Sequence, residues 1–233
     1  MRRAPCFALL VISVAGCFNQ AADHCPGCTI ASRGRLPPPL PAGGVARVVL
    51  VGGGFGFGDE WRPVVGALRA AHVDFYVFDW PGPWRDSSLP ARGLLSALQR
   101  DLDRSPSLRR LLVLSHSAGG MLAGWAVRQL HVPDGRQVVL AAIAAPREVN
   151  LTPFVPNESV NTPLGFALGG TEQPTPPLPA GVTIVEYLTQ DPPPSPSPGT
   201  IYLGKQISHD ESVEVAGLPL VRSLARPGDL WYR

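Results

Sequence analysis

Residues Leu112 to Gly120 read Leu-Val-Leu-Ser-His-Ser-Ala-Gly-Gly. An apolar run passes through one serine and one histidine to a second serine, Ser117, and three small residues follow. The apolar part, Arg110–Leu114, reads as a buried strand. The stretch Ala118–Leu130 reads as a helix, so Ser117 stands on the turn between the two. Capping the helix is the commonest role for such a serine. The other role is chemical. A strand-to-helix turn lifts the hydroxyl clear of the sheet, and the helix N-terminus points N–H groups at developing negative charge.

Outward from this turn, apolar strands and amphipathic helices alternate. Val45–Val51 reads as a strand ending in glycines. Glu60–Ala71 reads as a helix with Trp61, Val64, Val65 and Leu68 on one face. Val73–Asp79 is the next strand, and Leu94–Leu102 the next helix. Beyond the turn come strands at Gln137–Ala144, Val182–Leu188 and Thr200–Leu203. A closing helix is expected over Glu211–Ala225, interrupted or kinked by Pro219. Strands alternating with helices predict an α/β fold: a mostly parallel sheet of about six strands with helices on both faces. About 37 residues rich in Pro, Gly and Asn separate the fourth and fifth strands. That stretch, 146–181, reads either as a flap over a site or as an irregular surface excursion.

The chain has 233 residues, enough for one domain with a real core, and 45% of them are apolar, against disorder of the whole. A net charge of +2 gives no reason to expect nucleic acid as a partner. Residues 1–17 carry Arg2 and Arg3, then an apolar run from Ala4 to Val14, then small residues, which is the pattern of a secretory signal peptide. The run falls short of the roughly 20 apolar residues of a membrane-spanning helix. The ending Val14-Ala15-Gly16-Cys17 resembles a bacterial lipobox. The resemblance implies cleavage before Cys17, a lipid on its thiol and a membrane anchor. With Phe18 next, in a diderm cell it implies the outer membrane or cell surface. Ordinary cleavage near Ala21-Ala22 is the alternative, leaving the chain periplasmic or secreted. Residues 18–44 read as a Pro/Gly-rich tether, and 45–233 as the folded domain. Cys25 and Cys28 lie in that tether as Cys-Pro-Gly-Cys and are expected to form a small disulfide after export, outside the core. A metal half-site or a redox motif are the rivals, but there is no second Cys/His pair and no surrounding βαβ unit.

Ser115-His116-Ser117-Ala118-Gly119 resembles the nucleophile elbow of the α/β-hydrolases, Gly-x-Ser-x-Gly, with Ser115 in place of the first glycine. Leu50 to Gly56 likewise resembles the family's His-Gly-x segment, with Gly in place of His. The resemblance spans about Val45 to Arg226 and implies an α/β-hydrolase fold lacking the first strands, as in compact lipases. It implies Ser117 as nucleophile. The oxyanion hole would use backbone N–H groups of Ala118 and of either Gly54 or Phe55. A phosphate or dinucleotide loop fits Gly52–Gly56 poorly, since no Gly-Lys-Ser/Thr follows and the Gly-x-Gly-x-x-Gly spacing is off.

The family order Ser, acid, His calls for a late histidine as general base. Of five histidines, His24 lies in the tether, His72 and His131 end helices and His116 is inside the elbow, which leaves His209. Asp191 follows the fifth strand and is the expected acid, and Glu148, just past the fourth, is the rival. The expected function is that of a serine hydrolase cleaving carboxylic or lipid esters through an acyl-enzyme, with no metal and no cofactor. A catalytically inactive surface lipoprotein, using the fold as a binding scaffold, is the alternative. Lipase, esterase, thioesterase and acyltransferase activities stay open, as does the oligomeric state.

Overall fold

The computed structural model describes residues 21–54, 56–80, 88–145, 177–189 and 199–224. Along the chain these form α1 (Ala21–His24), β1 (Ile30–Ala31), β2 (Ala46–Val51), a 3-10 turn at Asp59–Trp61 and α2 (Arg62–Ala70). Then come β3 (Asp74–Phe78), α3 (Ser88–Arg104), β4 (Arg110–His116), α4 (Ala118–Val127) and β5 (Gln137–Ile143). The last elements are β6 (Val182–Leu188), β7 (Thr200–Tyr202) and α5 (Glu211–Leu224). The strands pair in the order β1-β3-β2-β4-β5-β6-β7, every pair parallel. The expected α/β sheet with helices on both faces is therefore present, with one more strand than the six anticipated.

Strand alternation sorts the core into two layers. Val49 and Val51 of β2 join α3 and α4 on one face, through Leu94, Leu98, Leu102, Leu122 and Val127. Val48 and Leu50 join α2 and α5 on the other, through Val64, Leu68, Val213, Leu220 and Val221. The middle strands are buried on both sides, which is why they read as unbroken apolar runs. Helix α4 is buried around most of its circumference, so its small residues suit the close approach to the sheet.

Two expectations are corrected here. Residues 21–44 are not a tether. Ile30 and Ala31 pair with Val77 and Phe78 as an edge strand. Ala21, Cys25, Ala31 and Leu40 are buried against the two core layers. Cys25 and Cys28 do form a disulfide, but Cys25 packs within the core rather than outside it. The prolines at 26, 37–39 and 41 bar regular helix or central strand only where they stand, and α1 and β1 lie between and before them. They say nothing against lying in extended form along an open sheet edge. Second, of the two readings of Pro219, interruption is ruled out: α5 runs on through it. Proline denies a donor to Val215, which lies on the exposed side of the helix where water can replace it.

At the amino ends of β2 and β3 sits a buried polar cluster. Arg47 donates through Nε to Asp74 Oδ2 at 2.5 Å and through Nη1 to Asp101 Oδ1 at 2.5 Å and Pro38 O at 3.0 Å. Tyr76 Oη donates to the second oxygen of Asp101 at 3.1 Å. The Pro38 bond ties the N-terminal segment to the sheet.

Candidate active site

The carboxyl ends of the parallel strands form the opposite edge, where α/β sheets present their ligand crevices. Ser117 lies there between β4 and α4, with φ 52° and ψ −131°. A residue with a Cβ adopts that geometry only under strain, and such strain collects at functional sites. Backbone bonds hold it: Ser117 N donates to Ile143 O at 2.9 Å, and Gly120 N donates to Ser117 O at 2.9 Å. The side chain makes no capping bond to the helix it precedes. The capping role is thus not the one this serine plays.

Its neighbours show why small residues surround it. A Cβ on Gly119 would stand 2.2 Å from Gly52 O, and one on Gly120 would stand 2.5 Å from Ala145 Cβ. Any side chain at either position would push the turn out of place. Ser115 replaces the usual glycine without harm, because its buried hydroxyl donates to Ala141 O at 3.1 Å.

The loop after β2 closes on the same point. A Cβ on Gly53 would lie 3.2 Å from Ser117 Cβ and 3.6 Å from His116 Nδ1. Trp80 Nε1 donates to Gly52 O at 2.9 Å, and Gly56 N donates to Gly53 O at 3.1 Å, so the loop is braced from both sides. Gly54 follows on this loop and is half-buried, while Phe55, the other expected oxyanion donor, lies outside the described residues. Ala118 opens α4, and the first N–H groups of a helix have no acceptor a full turn back within it.

His209 reaches this edge from the far end of the chain. Ser208 and Glu211 form a reciprocal cap on α5. Ser208 N donates to Glu211 Oε2 at 2.9 Å, and Glu211 N donates to Ser208 Oγ at 3.2 Å. This sets His209 in the first turn, exposed. Its ring lies against that of His116, centroids 4.4 Å apart and planes tilted by 42°. His116 is buried, and its Nε2 lies 3.0 Å from His209 O. A carbonyl only accepts, so Nε2 carries the proton and donates. Burial first, then the neighbouring His209 charge, push the His116 pKa down to about 4, so the ring is neutral at ordinary pH. Glu60 Oε1 stands 3.9 Å from His116 Nδ1, too far for a hydrogen bond. Burial raises the Glu60 carboxyl above its usual range.

Sequence reasoning missed His116 as a neighbour of the expected base, and Glu60 as a neighbour of His116. It also passed over the Ser-x-x-Glu signature at Ser208–Glu211, which marks the start of α5. The remaining histidines fall elsewhere. His24 bonds Asp59 at 2.9 Å, His72 follows α2, and His131 comes after α4, its N–H donating to Gln99 Oε1 at 2.9 Å. Glu186, inside β6, accepts from Thr200 Oγ1 at 3.3 Å. Asp191, Glu148 and Cys17 lie outside the described residues, as does the expected flap except for 177–181. Among the described residues no group of three His, Cys, Asp or Glu side chains is placed to hold a metal ion.

Comparison with known proteins gives a family. The model of the alpha/beta hydrolase family matches residues 48–232. No curated protein matches the chain. Among solved structures, Aspergillus fumigatus lipase B is 20% identical with a TM-score of 0.35, over 48% of this chain and 28% of that one. Esterase B from Lactobacillus rhamnosis is 16% identical with a TM-score of 0.39, over 65% of this chain and 58% of that one. A cutinase-like protein from Cryptococcus sp. is 16% identical with a TM-score of 0.45, over 78% and 95%. The chain thus spans less than two thirds of the lipase and esterase chains. Likenesses this distant carry no argument about activity.

Proposed function

The chain belongs to the alpha/beta hydrolase family, and from that premise we propose that it is a serine hydrolase of carboxylic or lipid esters. One observation carries the reading: Ser117 is held at φ 52° on a strand-to-helix turn, uncapped, against a glycine loop. In this reading Ser117 attacks the acyl carbonyl. His209 takes its proton and later returns it to the leaving group. The N–H of Ala118, with that of Gly54 or Phe55, receives the negative charge on the carbonyl oxygen. Asp191, or Glu148 in its place, orients the imidazole. A fluorophosphonate probe tests this directly. Labelling that disappears in Ser117→Ala supports it. Labelling that persists in that variant removes Ser117 as the nucleophile, and no labelling of the wild type sinks the reading in favour of a non-enzymatic binding scaffold.

The N-terminus belongs to the same proposal. We propose export, with a lipid on Cys17 anchoring the protein to a membrane. The Arg2-Arg3 start, the short apolar run and Val14-Ala15-Gly16-Cys17 support it. A disulfide at Cys25–Cys28 suits an oxidising compartment. Cys17→Ser is expected to release the protein from membranes. A mature N-terminus other than a modified Cys17, by mass spectrometry, would remove the anchor.

A further inference from the structure

The segment bearing His209 is held mostly by its own bonds. Ser212 Oγ donates to His209 O at 2.5 Å, Ser212 N donates to Ser208 O, Val213 N donates to Asp210 O, and the Ser208–Glu211 cap closes the turn. These bonds shape the turn that leads into α5. Val213, Ala216 and Leu220 bury the helix beyond it against the sheet, and one hydrogen bond ties the turn itself to β4. His116 Nε2 donates to His209 O across a sequence separation of 93 residues, from the last position of β4. A carbonyl oxygen has two lone pairs, so the Ser212 and His116 bonds coexist. His116 is covalently next to Ser117, and its ring also lies against the His209 ring.

We propose that His116 is a positioning residue. Its bond to the His209 carbonyl and the contact of the two rings seat the base at a set distance from the adjacent Ser117. The inference rests on the reading of Ser117 and His209 given above. The strand that carries the nucleophile then also carries the gauge for the base. Gauge and nucleophile are adjacent residues at the end of β4, and attack geometry is sensitive to displacements of about 1 Å. The state of His116 fits the task. Desolvation keeps the ring uncharged, so it does not oppose the positive charge His209 acquires during turnover. A histidine here supplies a donor at the right reach without adding a cation.

The test compares wild type with His116→Leu, His116→Gln and His116→Asn in the full chain. Leu fills the space without a donor. Gln places an amide N–H near the position of Nε2, and Asn offers the same amide one methylene short. With a short-chain p-nitrophenyl ester, His116→Leu should lower kcat by about 10²-fold and leave KM nearly unchanged, as expected for a misplaced base. Gln should recover most of that loss and Asn little of it. Amide hydrogen exchange over residues 207–212 should quicken in Leu and Asn and return towards wild type in Gln. Wild-type kcat in His116→Leu, or Gln falling as far as Leu, would overturn the proposal. Should Leu fail to fold, the Gln and Asn pair decides by the same measure. If the wild type shows no Ser117-dependent turnover, the serine hydrolase reading itself has failed. The exchange measurement then stands alone: unchanged exchange in all variants overturns the seating role, and faster exchange restored by Gln supports it.

Discussion

The two ends of the parallel sheet treat their polar groups in opposite ways. At the amino end, Arg47, Asp74, Asp101 and Tyr76 are matched donor to acceptor, and Arg47 and Asp101 are almost wholly buried. At the carboxyl end, Ser117 is strained and uncapped, His116 is buried without charge and His209 is exposed. Matched groups hold a structure together, and changing them costs stability. Strained and open groups cost stability where they stand, and removing them costs activity. The contrast assigns structure to one end and chemistry to the other, and each assignment can be broken separately.

The largest effect belongs to the carboxyl end. Ser117→Ala and His209→Ala should each reduce kcat by about 10⁶-fold, because the proposed nucleophile and base would act as one unit. Melting temperature should hardly move. Asp191→Asn set against Glu148→Gln then places the acid, and the orienting residue should cost less than the other two. Full activity in His209→Ala would dissolve the contrast at this end.

At the amino end the signs reverse. Asp101→Ala leaves the buried Arg47 with one carboxylate fewer and Tyr76 without its acceptor. It should lower the unfolding free energy by about 3 kcal/mol, judging from broken buried pairs elsewhere. The kcat of the folded fraction should stay at the wild-type value. A drop in kcat with stability intact would show that the two ends are not separate.

The buried, neutral His116 makes a smaller, pH-dependent difference. Its folded pKa of about 4 lies below the unfolded imidazole value of about 6.5. Between those values the unfolded chain takes a proton that the folded protein does not. Stability from this group is therefore lost as pH falls from about 6.5 to about 4, and no further below that. Glu60, raised by burial, works the other way. Urea denaturation at pH 7 and pH 5 should show a smaller loss in His116→Gln than in wild type. Equal losses would mean that His116 carries a proton in the native state.

The smallest effect sharpens the argument about strain. Glycine adopts the Ser117 backbone geometry with little penalty. Ser117→Gly should therefore raise stability, by about 1 kcal/mol, while abolishing turnover. A stability loss would mean that the positive φ is not a cost at this position.

Much of this was legible in the sequence, and the parts that were not share a cause. The alternation of strands and helices was readable, because burial on both faces writes unbroken apolar runs such as Val48–Val51 and Leu111–Leu114. The turn at Ser117 was readable because close approach to Gly52 O forces glycine at 119. In both cases the signal is stamped on a few adjacent residues, even where its cause lies elsewhere in the chain. The packing of residues 21–44 was not readable. Whether Ile30 and Ala31 lie in water or on a sheet edge depends on Val77 and Phe78 of β3, far along the chain. Nor does the apolar run Val45–Val51 say what Arg47 meets, since its partner Asp101 is 54 residues away. The meeting of His116 with the carbonyl of His209 spans 93 residues. Periodicity and small-residue spacing determine the backbone and which face is buried. Which distant side chain arrives at a given edge is decided by the parallel crossovers that bring β4 and the start of α5 together, and no single stretch of sequence contains that information.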